Sequence, residues 1–308
     1  MKIKFKYKFL LIVGLITFII YLLAQINKIN NEILQENLLK KYNTCLDTIN
    51  VDTTNYENEL TSYLSQYNLS VYYKNLKTNY DYTYNEDKEY YGASTIKILD
   101  SLYLYQKAYN NEYDLNAILE DKSSVNLSNS KFINNTNINN MTTKEVIKNL
   151  IEVSDNRAHL LLVDNIGKTN YINFAKSLGL KNTITYTDYY TNIDIEDAKI
   201  YVENLYSFIE NSGKLGMELK NYFMNNYENF IQLPEYNIKA AHKFGYYAEF
   251  FHDIGIVYDE TPYEIIILTR EAKNYENKMH NIALKVYNLH KQIEDEKKLN
   301  CKSKVFLD

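Results

Sequence analysis

Strand-forming segments stand near both ends of the central part of this sequence, with a long helical stretch between them, and that order restricts the fold. Leu69 to Tyr73 and Tyr80 to Tyr84 are rich in aromatic and β-branched residues and read as a hairpin. Ile238 to Tyr247, Phe250 to Tyr258 and Tyr263 to Thr269 read as three more strands, the last two joined by Asp259-Glu260-Thr261-Pro262. A helix is expected from Thr53 or Thr54 to about Gln66. Between the strand groups, apolar residues recur at helical spacing over Ser94 to Tyr109, Ala158 to Val163, Tyr171 to Ser177 and Asp197 to Glu210. Another helix is expected after Thr142, which has Glu145 at capping-box spacing. Met279, Ile282, Ala283, Val286, Leu289 and Ile293 mark a closing helix. One antiparallel sheet formed from both ends of the domain, flanked by helices and carrying an inserted all-helical lobe, satisfies this order. The fold class is α+β. The domain is expected over 53–297, its helical lobe over about 94–204, and a tail over 298–308.

The N-terminus carries a topological signal. Lys2, Lys4, Lys6 and Lys8 precede an uncharged run from Phe9 to Ala24. That run is short of the ~20 residues of a full span, but flanking lysines can snorkel. Basic residues ahead of an apolar run hold the N-terminus inside and send the rest of the chain across. Residues 1–24 are therefore expected to be a membrane anchor, with the domain extracytoplasmic. The alternative is a cleaved signal peptide and a secreted domain. Leu22-Leu23-Ala24 is a poor small-x-small cleavage site, which favours the anchor. No cysteine lies near the end of the run, which argues against a lipoprotein. Residues 25–52 read as a helical stalk with a modest stripe of Ile26, Ile29 and Ile33.

Composition excludes some classes of function. A net charge of −5 supplies no basic field, so nucleic acid is not an expected partner. The histidines (159, 242, 252, 280 and 290) are scattered without metal-ligand spacing, so no metal and no cofactor is expected. The 32 tyrosines, against no tryptophan, read as compositional drift. Ser123 to Asn140, rich in Asn and Ser, reads as a surface loop.

Three short motifs carry chemistry. In Gly92-Ala93-Ser94-Thr95-Ile96-Lys97, a helix starting at the serine would place Ser94 and Lys97 on one face about a turn apart. A serine hydroxyl becomes a nucleophile when an amine of lowered pKa takes its proton. Taken alone, S-x-x-K is a weak signal and reads first as an N-capped surface helix with an exposed lysine. Ser154-Asp155-Asn156 follows an apolar helix, and His242-Lys243-Phe244-Gly245 sits in a strand.

S-x-x-K, then S-D-N, then K-T-G is the signature set of class A β-lactamases and penicillin-binding proteins. The sequence resembles that family from roughly Thr53 to Ile293. The gap from Ser94 to Ser154 is close to the family's usual spacing, and the gap from Ser154 to Lys243 is shorter. His252-Asp253-Ile254-Gly255-Ile256-Val257 is similar to the strand that follows K-T-G there. The resemblance implies that Ser94 is the acylated nucleophile, Lys97 its proton partner and Ser154 a relay to the leaving group. It implies that Lys243 supplies positive field and that Asn156 hydrogen-bonds a substrate amide. Backbone N–H groups of Ser94 and Tyr246 would form the oxyanion hole, and Gly245 would let substrate approach the strand. The implied substrate is a β-lactam or a peptidoglycan peptide.

Two departures matter. Phe244 stands where the family has Thr or Ser, so a hydroxyl for the substrate carboxylate is missing. The loop from Leu180 to Ile193 is short and lacks the glutamate that activates the deacylating water. Asp188 and Asn192 mimic its E-x-x-x-N spacing with a shorter acid. The sequence therefore also admits a non-catalytic binding module that retains the fold, and, less directly, a stalk-mediated oligomer. The family's side-by-side first and last helices would bring Cys45 and Cys301 together, and an exported domain permits a disulfide. Two free thiols remain the alternative.

Overall fold

The computed structural model describes residues 2–120, 140–228, 230–271 and 274–306. Its compact unit, Thr53–Lys291, holds the expected α+β architecture. Helix α2 (Thr54–Leu64) leads into strands β1 (Leu69–Asn75) and β2 (Asp81–Tyr84). After a two-residue strand β3 (Tyr90–Tyr91) and a 3-10 turn (Ala93–Ile96), the chain enters the helical lobe. The lobe contains α3 (Lys97–Tyr109), α4 (Thr143–Glu152), α5 (Asn156–Ile166) and α6 (Lys168–Ser177). It continues through a short strand β4 (Asn192–Ile193) to α7 (Ile195–Asn211) and α8 (Gly213–Met224). Strands β5 (Lys239–Tyr247), β6 (Phe250–Tyr258) and β7 (Tyr263–Thr269) follow, then α9 (Tyr275–Phe306).

The antiparallel sheet has the order β2-β1-β7-β6-β5, so β7 joins the N-terminal hairpin to the C-terminal strands. Every residue of β7 is buried, because the sheet is covered on both faces. Alternation along β1 shows how. Tyr72 faces α7, where the Lys199 ammonium lies over its ring, and Tyr73 faces α9, donating or accepting a 2.8 Å hydrogen bond with His290. Met279, Ile282, Ala283, Val286 and Leu289 bury the apolar stripe of α9. The capping box at Thr142 forms as expected: its hydroxyl accepts from Glu145 N, and the Glu145 carboxylate accepts from Thr142 N.

Two elements depart from the sequence reading. Helix α8, which the sequence did not reveal, extends the lobe to Met224. Its two glycines weaken the helical signal, yet a side chain at Gly216 would place Cβ 2.3 Å from Ile209 O, so the close turn onto α7 requires one of them. The tail expected over 298–308 is instead helical through Phe306, as part of α9. Apart from Asn140, the expected loop Ser123 to Asn140 lies outside the described residues.

A second unit consists of helix α1 (Lys2–Thr48) and the end of α9 from Gln292. The expected anchor and stalk are one continuous helix. From Val13 onward it carries an 18-residue window of mean hydropathy 1.4 with no buried residue, which is long and apolar enough to cross a membrane. Within this unit Cys45 and Cys301 form a disulfide, and the rings of Tyr42 and Phe306 lie 5.8 Å apart.

Candidate active site

The Ser94 turn is held in a form that chains rarely adopt. Ala93 has φ 46°, in the left-handed region where a Cβ is unfavourable. Gly92 O accepts from both Thr95 N (3.2 Å) and Thr95 Oγ1 (2.7 Å), and Gly92 N donates to Thr191 O (2.9 Å). The turn presents Ser94 to a cleft of about 540 Å³ that Asn156 and Tyr246 also line. Strand β5 presses against it from the other side. A Cβ on Gly245 would sit 2.9 Å from Gly92 O and 3.2 Å from Ser94 N, so only glycine allows this approach.

Beneath the cleft lies a chain of polar groups. Lys97, at the first turn of α3, is fully buried. Its Nζ donates to Ser154 O (2.7 Å), Ser154 Oγ (3.2 Å) and Asn156 Oδ1 (2.7 Å). Lys243, also fully buried, reaches the same hydroxyl from β5, donating to Ser154 Oγ (2.9 Å) and Phe244 O (3.0 Å). Burial pushes Lys97 down to about 7, against the opposing pull of Asp100 and Asp155. Burial and then the charge of Lys97 hold Lys243 well below the usual lysine range. Ser154 itself sits at φ 54° between α4 and α5, and Asp155 caps α5 by accepting from Arg157 N and Ala158 N.

Not every expected contact forms. Among the described residues, Ser94 Oγ makes no hydrogen bond, and the three bonds of Lys97 go to Ser154 and Asn156. Phe244 does not line the cleft. Its ring packs edge-to-face against Tyr227 (5.2 Å between centroids), and the Lys243 ammonium lies 4.0 Å from its centre. Asp188 is exposed, and its Oδ2 accepts from the hydroxyls of Thr185 and Thr187 in its own loop.

The structure adds residues that the sequence did not single out. Asn156 Oδ1 also accepts from Tyr190 OH (3.1 Å), which fixes the amide so that its NH₂ group is turned away from both donors. The Tyr190 ring packs against His159 at a tilt of 47°, with centroids 4.8 Å apart. His159 is buried between two partners. Nε2 donates to Tyr189 O (2.8 Å), and Nδ1 lies 2.6 Å from Asp100 Oδ2. Asp100 Oδ1 in turn accepts from Tyr171 OH (2.8 Å). This network ties α3, α5 and α6 to the loop that carries Tyr189 and Tyr190. The tyrosines are not drift at this point of the fold: Tyr91, Tyr189, Tyr190, Tyr246 and Tyr247 all line the cleft.

The sequence model of the β-lactamase enzyme family matches residues 55–289. The chain belongs to this family. No curated protein matches it. Solved structures of the same fold include the TLA-1 extended spectrum β-lactamase, 19% identical with a TM-score of 0.64, over 77% of this chain and 99% of that one. The class A β-lactamase from Clostridium kluyveri is 21% identical, with a TM-score of 0.64 over 77% of this chain and 99% of that one. A mutant of PBP-A, solved as an acyl-enzyme complex with penicillin G, is 16% identical, with a TM-score of 0.61 over 78% of this chain and 97% of that one. Within the β-lactamase enzyme family, then, this chain combines a Ser–Lys–Ser–Lys constellation with an aromatic cap on its strand lysine.

Proposed function

We propose that the chain is a membrane-anchored, extracytoplasmic serine hydrolase that transfers an acyl group through Ser94 from a β-lactam or a cell-wall peptide. The observation that carries this reading is the hydroxyl of Ser154, bonded by the amines of both Lys97 and Lys243 beneath the turn that presents Ser94 to the cleft. Ser94 Oγ attacks the substrate carbonyl carbon, and its proton passes to the neutral amine of Lys97. The C–N bond breaks, and the departing nitrogen takes a proton through Ser154 Oγ. Water then hydrolyses the ester and restores the Ser94 hydroxyl. Asn156 NH₂ is the group available to a substrate amide, and the N–H groups of Ser94 and Tyr246 serve the developing oxyanion. Between Leu180 and Ile193 there is no glutamate to activate water, and Asp188 is engaged with its own loop. The acyl-enzyme therefore persists. The apolar window of α1, following four lysines, supports the anchor and the extracytoplasmic side.

A second reading, a binding module without turnover, draws on one observation: the bonds of Lys97 lead away from Ser94. Covalent labelling by a reporter penicillin, compared with equilibrium binding in the chain and in Ser94→Ala, separates the two. Labelling of the chain alone supports the hydrolase. Equal binding without labelling in either protein supports the module.

A further inference from the structure

The place where a substrate's anionic end would meet the strand lysine is closed by an aromatic cluster. The Lys243 ammonium lies 4.0 Å from the centre of the Phe244 ring, and Phe244 is only 6% exposed. Tyr227 packs edge-on against that ring at 5.2 Å, and Phe230 does so at 6.4 Å. Lys243 directs its hydrogen bonds to Ser154 Oγ and Phe244 O, and neither Lys97 nor Lys243 is exposed at all. Among the described residues, the only charged side chain lining the cleft is Asp188, an anion. A carboxylate entering this site would lose its water and find no cation to replace it. The rest of the wall is largely aromatic. The Tyr91 ring stands 5.1 Å from Tyr247 and 6.3 Å from Tyr190, spacings at which rings attract a further ring edge-on or offset.

We propose that the cleft takes acyl donors that bear an aromatic acyl group and no carboxylate, with Phe244 as the residue that shuts the anionic end out. The inference rests on acyl transfer through Ser94 and narrows the substrate class of that reaction.

The test pairs benzylpenicillin with its methyl ester, which differ only at the carboxylate, and follows acylation of the detergent-solubilised full chain by intact mass. The ester is expected to acylate at least about tenfold faster than the acid, the scale of one buried polar group left unpaired. Phe244→Thr is expected to raise the rate with the acid about tenfold and to leave the ester within about threefold. Should that variant fail to fold, the comparison in the unaltered chain still decides. Equal rates, or a faster acid, overturn the selectivity while leaving acyl transfer standing. If neither compound acylates the chain and a neutral phenyl ester also leaves Ser94 unlabelled, the acyl-transfer reading falls, and this inference with it.

Discussion

Lys97 and Lys243 converge on one hydroxyl, with their Nζ atoms 3.2 and 2.9 Å from Ser154 Oγ. Both side chains are fully buried, and neither amine is bonded to a carboxylate among the described residues. Two desolvated ammonium groups around one oxygen repel each other, so one of the pair gives up its proton near neutral pH. Ser154 can then donate to that amine and accept from the other, which makes it a path for a proton.

Acylation should follow the charge of this pair. The base form is the neutral amine, whose fraction grows as pH rises through about 7 for Lys97. The acylation rate is therefore expected to climb between about pH 6 and 8 and then to level off. Ser154→Ala, which removes the shared hydroxyl, should lower it by about 10²–10⁴-fold. Time courses of intact mass across pH measure both.

The Asp100–His159 pair should act through position. Asp100→Ala leaves the buried His159 Nδ1 without its 2.6 Å partner and Tyr171 OH without its acceptor. Denaturant unfolding is expected to show a loss of about 3–5 kcal/mol, the cost of breaking a buried pair. Tyr190→Phe touches the same loop more gently. It removes only the bond to Asn156 Oδ1, and should lower acylation several-fold while leaving stability within about 1 kcal/mol.

Gly245→Val should separate β5 from the nucleophile turn. Its Cβ would fall 2.9 Å from Gly92 O, a backbone atom that cannot swing aside. The expected result is a stability loss of about 1–3 kcal/mol with a sharp fall in Ser94 acylation. Unfolding curves and labelling kinetics on the same samples test it.

Glu264 on β7 gives a pH dependence remote from the cleft. It is 1% exposed, and neither of its carboxyl oxygens has a hydrogen-bond partner among the described residues. Burial raises it to about 7, with Lys74 and Lys199 opposing and Glu203 assisting. A carboxyl raised in the folded state binds its proton more tightly than in the unfolded chain. Its contribution is thus intact below about pH 4.5 and is lost as pH rises from there through about 7, by about 3 kcal/mol. Glu264→Gln should be more stable than the parent at pH 8 and should differ little at pH 4.5. Denaturant midpoints at the two values measure this.

The parts of the site that a sequence can reveal are those built from neighbours in the chain. Ser94 and Lys97 share one turn, Ser154 to Asn156 share a helix entry, and Lys243 to Gly245 share a strand, so spacing exposes each. The strands were legible for the same reason, since period and composition are local. Asp100 and His159 were not, because a buried pair drawn from two helices leaves no spacing to read. The role of Tyr190 was hidden in a loop without periodicity. The aromatic cap on Lys243 needed the packing of Tyr227 and Phe230 against Phe244, which only the fold brings together.

Whether Ser94 forms a lasting acyl ester is decided by time-resolved intact mass. The full chain and its Ser94→Ala variant are mixed with benzylpenicillin methyl ester and followed over hours. The expected outcome is a single adduct of the full mass of the lactam, absent from Ser94→Ala, that decays slowly in keeping with a loop over 180–193 that carries no glutamate. An adduct that persists in Ser94→Ala would contradict acyl transfer through Ser94, and so would its absence from the unaltered chain.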